Sequence, residues 1–98
     1  MIIYSIYTRD KFMTEILAVF RSRSQAIDCN ARLRAAGIPA GLINTPREAG
    51  VGCGLSIKFP HGTLERAKSV VRSGGYSAFY GFFGIYSSYG KTIIGKIG

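Results

Sequence analysis

The chain is poor in the residues that most often announce a chemistry. It holds two cysteines, Cys29 and Cys53, one histidine, His61, and no Cys-x-x-Cys pair, so one copy cannot supply a standard four-ligand zinc site. No metal or other cofactor is implied. Acidic residues are scarce: five Asp and Glu stand against thirteen Lys and Arg, a formal charge of +8. That imbalance favours anionic partners, whether nucleic acid, an acidic protein, an anionic membrane surface or a charged small molecule. The cations are dispersed and form no tail, so a merely basic, solvated surface fits equally well. No run approaches the roughly 18 apolar residues of a membrane span. No charged start leads into an apolar segment with a small-residue cleavage site, so a reducing cytoplasm is the expected compartment. A Cys29 to Cys53 disulfide is disfavoured there. Repeats and low-complexity blocks are absent as well.

What is present suits one small folded domain. The 98 residues are 47% hydrophobic and 18% charged, enough to bury a core without disulfides or metals. Residues 1–12 read as an N-terminal extension in which Ile2, Tyr4 and Ile6 alternate with their neighbours, either a short edge strand or a loose arm. The domain is expected over 13–86. Glu15 to Phe20 is apolar on both faces, the pattern of a central strand. Ser22 with Gln25 three positions on is a capping-box pattern, and Ala26, Cys29, Leu33 and Ala36 recur at helical spacing until Gly37. This predicts a helix over 24–36.

Pro39 pushes Ile38 out of helical geometry, and Ala40 to Asn44 reads as a short strand. Leu55, Ile57 and Phe59 alternate with Ser56 and Lys58, as in a strand with one buried face. Pro60-His61-Gly62 is a turn, Thr63 a cap, and Leu64, Ala67, Val70 and Val71 the stripe of a second helix ending at Gly74-Gly75. Ser77 to Tyr86 reads as a fourth, aromatic strand, placed at an edge of the sheet. Residues 87–98 form a tail to which no element is assigned. The order strand, helix, strand, strand, helix, strand predicts an α+β, ferredoxin-like βαββαβ fold: a four-stranded antiparallel sheet with two helices on one face.

Between the second and third strands lies Asn-Thr-Pro-Arg-Glu-Ala-Gly-Val-Gly-Cys-Gly-Leu, in which Gly50, Gly52 and Gly54 give Cys53 a bent, yielding main chain. The predicted topology brings this loop to the end of the sheet where the first helix begins. Helix N-termini and cations favour a thiolate. Arg21 and Arg23 before the first helix, Arg47 in the loop and Arg72 near the end of the second helix are the thiolate-stabilising candidates. The plain alternative is that Cys53 is a small residue that packs at the start of a strand. Cys29, on the helical stripe, is expected in the core. His61 falls at the opposite end of the sheet, which disfavours a Cys/His pair.

Thr45-Pro46-Arg47-Glu48 followed by Cys53-Gly54-Leu55, with Ala36-Gly37-Ile38 as weaker support, resembles the signature of a selenium/sulfur carrier-like family of small bacterial single-domain proteins. The likeness runs from about Met13 to Tyr86. It implies a ferredoxin-like domain and a carrier function resting on Cys53, which would bear a persulfide or perselenide. The protein would then be a carrier and not a turnover enzyme, with sulfur or selenium donor and acceptor proteins as partners. Thr45, Pro46, Arg47, Glu48, Gly52 and Gly54 would surround the thiol and meet those partners. The aromatic N-terminal stretch, the tail and the positive charge depart from the family pattern.

Two rival readings involve no cysteine chemistry. A basic sheet of this plan suits a nucleic-acid-binding module that stacks bases on its central strands, although the aromatics here concentrate on the fourth strand. A protein-interaction module would instead use Tyr76, Tyr80, Phe82, Phe83 and Tyr86 to form a homodimer edge to edge through that strand; otherwise alternate members fill the core.

Overall fold

The computed structural model describes residues 12–51, 54–88 and 90–97. The alternating stretch from Ile2 to Ile6, together with Gly52, Cys53, Tyr89 and Gly98, lies outside the described residues. In chain order the elements are β1 (Phe12–Phe20), α1 (Arg23–Ala35), β2 (Gly41–Asn44), β3 (Leu55–Pro60), α2 (Leu64–Gly74), β4 (Phe79–Ser88) and β5 (Lys91–Lys96). The strands form one sheet in the order β2-β3-β1-β4-β5, and every neighbouring pair is antiparallel. The domain is thus mixed α and β, two helices on an antiparallel sheet, but among the described residues the sheet has five strands where the sequence pattern predicts four.

The fifth strand is β5, from the stretch to which no element is assigned above. Ile85 pairs with Ile94 and Tyr86 with Ile93. Its sequence, Lys-Thr-Ile-Ile-Gly-Lys, alternates weakly and is exposed over Lys91 to Ile93, so periodicity carries little signal. With β5 in place, β4 is an interior strand and not an edge. From Phe83 to Ser87 it pairs with β1 on one side and β5 on the other, so edge-to-edge dimerisation through that stretch is closed.

β1 explains its apolar run by its place. Ile16, Ala18 and Phe20 point to one layer and Leu17 and Val19 to the other, and none of the five has any exposed surface. Both helices pack on the first layer through Ala26, Cys29, Leu33, Ala67 and Val71, against Leu55, Ile57, Phe59 and Phe82. Ser22 caps α1, its hydroxyl accepting from the Gln25 N–H at 3.2 Å. The reciprocal half of a capping box is missing, because the Gln25 amide is engaged elsewhere: it donates to the Ser77 hydroxyl and accepts from the Ala78 N–H. This ties the approach to β4 to the first turn of α1. Thr63 does not cap α2; its hydroxyl donates to the Pro60 carbonyl and stabilises the turn before the helix.

Candidate functional site

The described part of the loop between β2 and β3 folds back onto the sheet through Ala49 and Val51. Asn44 pairs with Leu55, and the next rung is closed by the Thr45 N–H donating to the Gly54 carbonyl at 3.2 Å. Pro46, in extended geometry, leads into a single 3-10 turn over Arg47–Ala49, which Gly50 ends in the left-handed region at φ 74°. The turn lies against β5. Ala49 and Val51 lie on Leu17, Val19 and Phe83, so the loop forms the cover of the sheet face that carries no helix. Arg47 and Glu48 face outward, and among the described residues Glu48 makes no ion pair.

Two side chains fix where the loop rejoins the sheet. Ser56 is fully buried, and its hydroxyl is satisfied by that of Thr45 at 2.7 Å. Gly54 lies against the end of β1: a Cβ there would come within 2.7 Å of the Phe20 carbonyl oxygen and 3.3 Å of the Thr45 hydroxyl. Only a residue without a side chain permits that approach. Phe20 is followed by Arg21 and by Ser22, the cap of α1, so Gly54 sits beside the entry to α1. Gly52 and Cys53 are outside the described residues, and the loop is described up to Val51 and again from Gly54.

The candidate arginines separate into two groups. The Arg21 guanidinium lies 4.7 Å from the centre of the Tyr80 ring, on the loop-covered face. Arg23 is the exposed first residue of α1, which has no acidic residue in its first turn. Arg72 reaches the same end of the sheet on the helix side, where it lines a cavity with Tyr76, Phe79 and Phe82. The sheet therefore separates Arg72 from Ala49 and Val51, whereas Arg21 and the loop share one face.

Lys96 is the member that sequence reasoning missed, and Tyr80, read there only as a dimer-forming aromatic, joins it on this face. The register of β1 against β4 shifts so that Val19 faces Gly81 while Phe20 faces Phe79, which leaves Tyr80 as the extra residue of a bulge. The bulge turns Tyr80 onto the same face as Phe83, whose ring stacks on it with centroids 6.0 Å apart. The Lys96 ammonium also lies 4.7 Å from the Tyr80 ring centre. A glycine inside a strand, here Gly81, is the sequence sign of such a bulge; Lys96, on the strand that periodicity misses, has no comparable sign.

Cys29 occupies a contrasting environment. It is fully buried on the sheet side of α1, and its pKa is pushed up to about 11, chiefly by burial. The Tyr76 hydroxyl donates to the Asp28 carboxylate at 2.6 Å; burial first and that bond second raise its pKa well above the ordinary phenol. His61 opens the turn after β3, at the far end of that strand from Leu55 and thus roughly 20 Å from the loop closure.

The chain matches the model of the family described as "Putative Se/S carrier protein-like" over residues 15–80, more than half of its length, and belongs to that family. The matched stretch contains the whole loop and ends at Tyr80, so β5 and most of β4 lie beyond it. No curated protein and no solved structure matches the chain. No helix among the described residues is long and apolar enough to cross a membrane.

Proposed function

We propose that the protein carries sulfur or selenium on Cys53, receiving it from one protein and passing it to another in a reducing cytoplasm. The scaffold is read as the ferredoxin-like plan, β2-β3-β1-β4, with β5 appended. The observation that carries the reading is the closure of the family's loop at Gly54, which pins the residue after Cys53 to the Phe20 carbonyl beside Arg21 and the start of α1. Cations and a helix N-terminus close to a thiol favour its ionised form. Arg21, Arg23 and the loop's own Arg47 are the candidates for that work; Arg72 faces the other layer and leaves the set. Thr45, Pro46 and Gly54 shape the loop, and Arg47 and Glu48 are the outward charges a donor or acceptor would meet.

In the transfer, the Cys53 thiolate attacks the sulfane sulfur of a donor persulfide. A sulfur–sulfur bond to Cys53 forms as the donor's breaks, and the donor thiolate departs with the bonding pair. Sulfur changes hands without net oxidation, so no further redox reagent is required. The nucleic-acid reading has less support. Leu17 and Val19, where bases would stack on the central strand, are fully buried, and Tyr80 carries the protein's own Arg21 and Lys96.

The test uses a small-molecule persulfide as donor, with peptide mass spectrometry as the readout and Cys29 as internal comparison. Cys53 should gain the mass of one sulfur atom, and Cys53→Ser should abolish loading while keeping the wild-type unfolding midpoint. Alkylation of Cys53 should persist well below the free-thiol pKa of roughly 8.5. Loading on Cys29, or labelling of Cys53 only after unfolding, refutes the carrier reading.

A further inference from the structure

On the helix side, α2 and the start of β4 border an open cavity of about 410 Å³ lined by Lys68, Val71, Arg72, Gly75, Tyr76, Phe79 and Phe82. That volume falls in the usual range of small-molecule sites, roughly 300 to 1,000 Å³. Gly75, left-handed at the end of α2, puts no side chain into the gap: a Cβ there would meet nothing within 4 Å. The walls are apolar, with Val71 and Phe82 buried and the Phe79 ring packed 4.9 Å from that of Phe82.

The rim is cationic, and among the described residues the lining contains no acid. Lys68 and Arg72 are one turn apart on α2 and so share a helix face, an arrangement in which like charges repel unless an anion lies between them. The partner of Lys68, Glu65, lies 3.7 Å away with its side chain 87% exposed, an ion pair weak enough for an incoming anion to displace. Arg72 makes no ion pair among the described residues.

We infer that this cavity binds a small amphipathic carboxylate, its apolar tail against Val71, Phe79 and Phe82 and its head between Lys68 and Arg72. Tail and head are both required: the aromatic floor supplies area to cover, and the two cations supply charge-assisted hydrogen bonds to the carboxylate. The cavity lies across the sheet from the Cys53 loop, so the inference does not rest on the carrier reading.

The probe is decanoate below its micellar concentration, titrated into the full chain and followed by heteronuclear NMR, with decanol as the uncharged control. Saturable shifts should concentrate at Val71, Gly75, Tyr76, Phe79 and Phe82. Decanoate should bind about tenfold or more tightly than decanol, and the Lys68→Gln/Arg72→Gln double variant should lose that margin. Arg72 is exposed, so Arg72→Gln alone serves as a folded variant should the double one prove unstable, and it should lose part of the margin. Absence of saturable shifts, equal binding of decanoate and decanol, or a margin that survives removal of both cations overturns the proposal. So do shifts that follow protein dilution instead of decanoate, since a second copy would then be the occupant.

Discussion

On one face of the sheet, two helices set Ala26, Cys29, Leu33, Ala67 and Val71 over β1, β3 and β4; on the other, a single 3-10 turn sets Ala49 and Val51 over Leu17, Val19 and Phe83. The first face withdraws its reactive groups: the Cys29 thiol is buried and pushed up to about 11, and the Tyr76 phenol is bonded to Asp28. The second gathers cations, with Arg21 and Lys96 on Tyr80 and Arg47 in the covering turn. The first layer keeps its thiol out of reach. The other is covered by the loop that carries Cys53, so the same residues that close the core also shape the proposed site.

The largest effects should separate these layers. Phe20→Ala removes a ring whose centre lies 5.6 Å from that of Tyr76 and 5.3 Å from that of Phe79, in the helix-side core. It should cost about 3 to 5 kcal/mol, a large part of the stability of a domain this size. Leu17→Ala, under the thinner loop cover, should cost about 2 to 3 kcal/mol, because a turn settles into a void more easily than two tethered helices do. Urea unfolding of both variants checks the order. If Leu17→Ala is the more damaging, the loop is not the softer cover.

A smaller effect should arise where the loop meets the sheet. Gly54→Ala places a methyl group within 2.7 Å of the Phe20 carbonyl, a main-chain atom with little room to yield. A loss of about 1 to 3 kcal/mol is expected, with amide shifts confined to Phe20, Arg21, Thr45 and their neighbours. Unchanged stability would mean that the closure of the loop is looser than this contact requires.

Much of this arrangement was legible beforehand, for reasons that can be named. The both-faced burial of β1, the stripe of α1 with its Ser22 cap and the alternation of β3 are periodic patterns imposed by burial, and periodicity is what sequence reveals best. The position of the loop beside the start of α1 followed from topology. β5 was missed because four of its six residues are exposed, and its loss misplaced β4 as an edge. Sequence groups Arg72 with Arg21 because chain direction tells which end of a sheet a residue reaches, but not which face. The burial of Ser56 was equally hidden, since it depends on Thr45 across the loop closure.

The mildest prediction concerns pH, and its sign follows from the closed face. A thiol whose pKa is raised in the folded state holds its proton more tightly there than in the unfolded chain. Its contribution to stability is therefore complete below the ordinary value of 9.0 and is lost as pH rises toward about 11. Tyr76 acts in the same direction at higher pH, because its folded-state pKa is raised too. Near neutrality neither group should make stability depend on pH. Urea midpoints of wild type and Cys29→Ala, measured from about pH 8 to pH 10.5, isolate the thiol: the variant carries a constant offset for its missing sulfur, but its decline should be shallower through that range. Parallel declines would show that the thiol ionises as easily in the fold as outside it. Cys29 would then compete for the same reagents as Cys53, and the contrast between a withdrawn thiol and the proposed carrier thiol would fail.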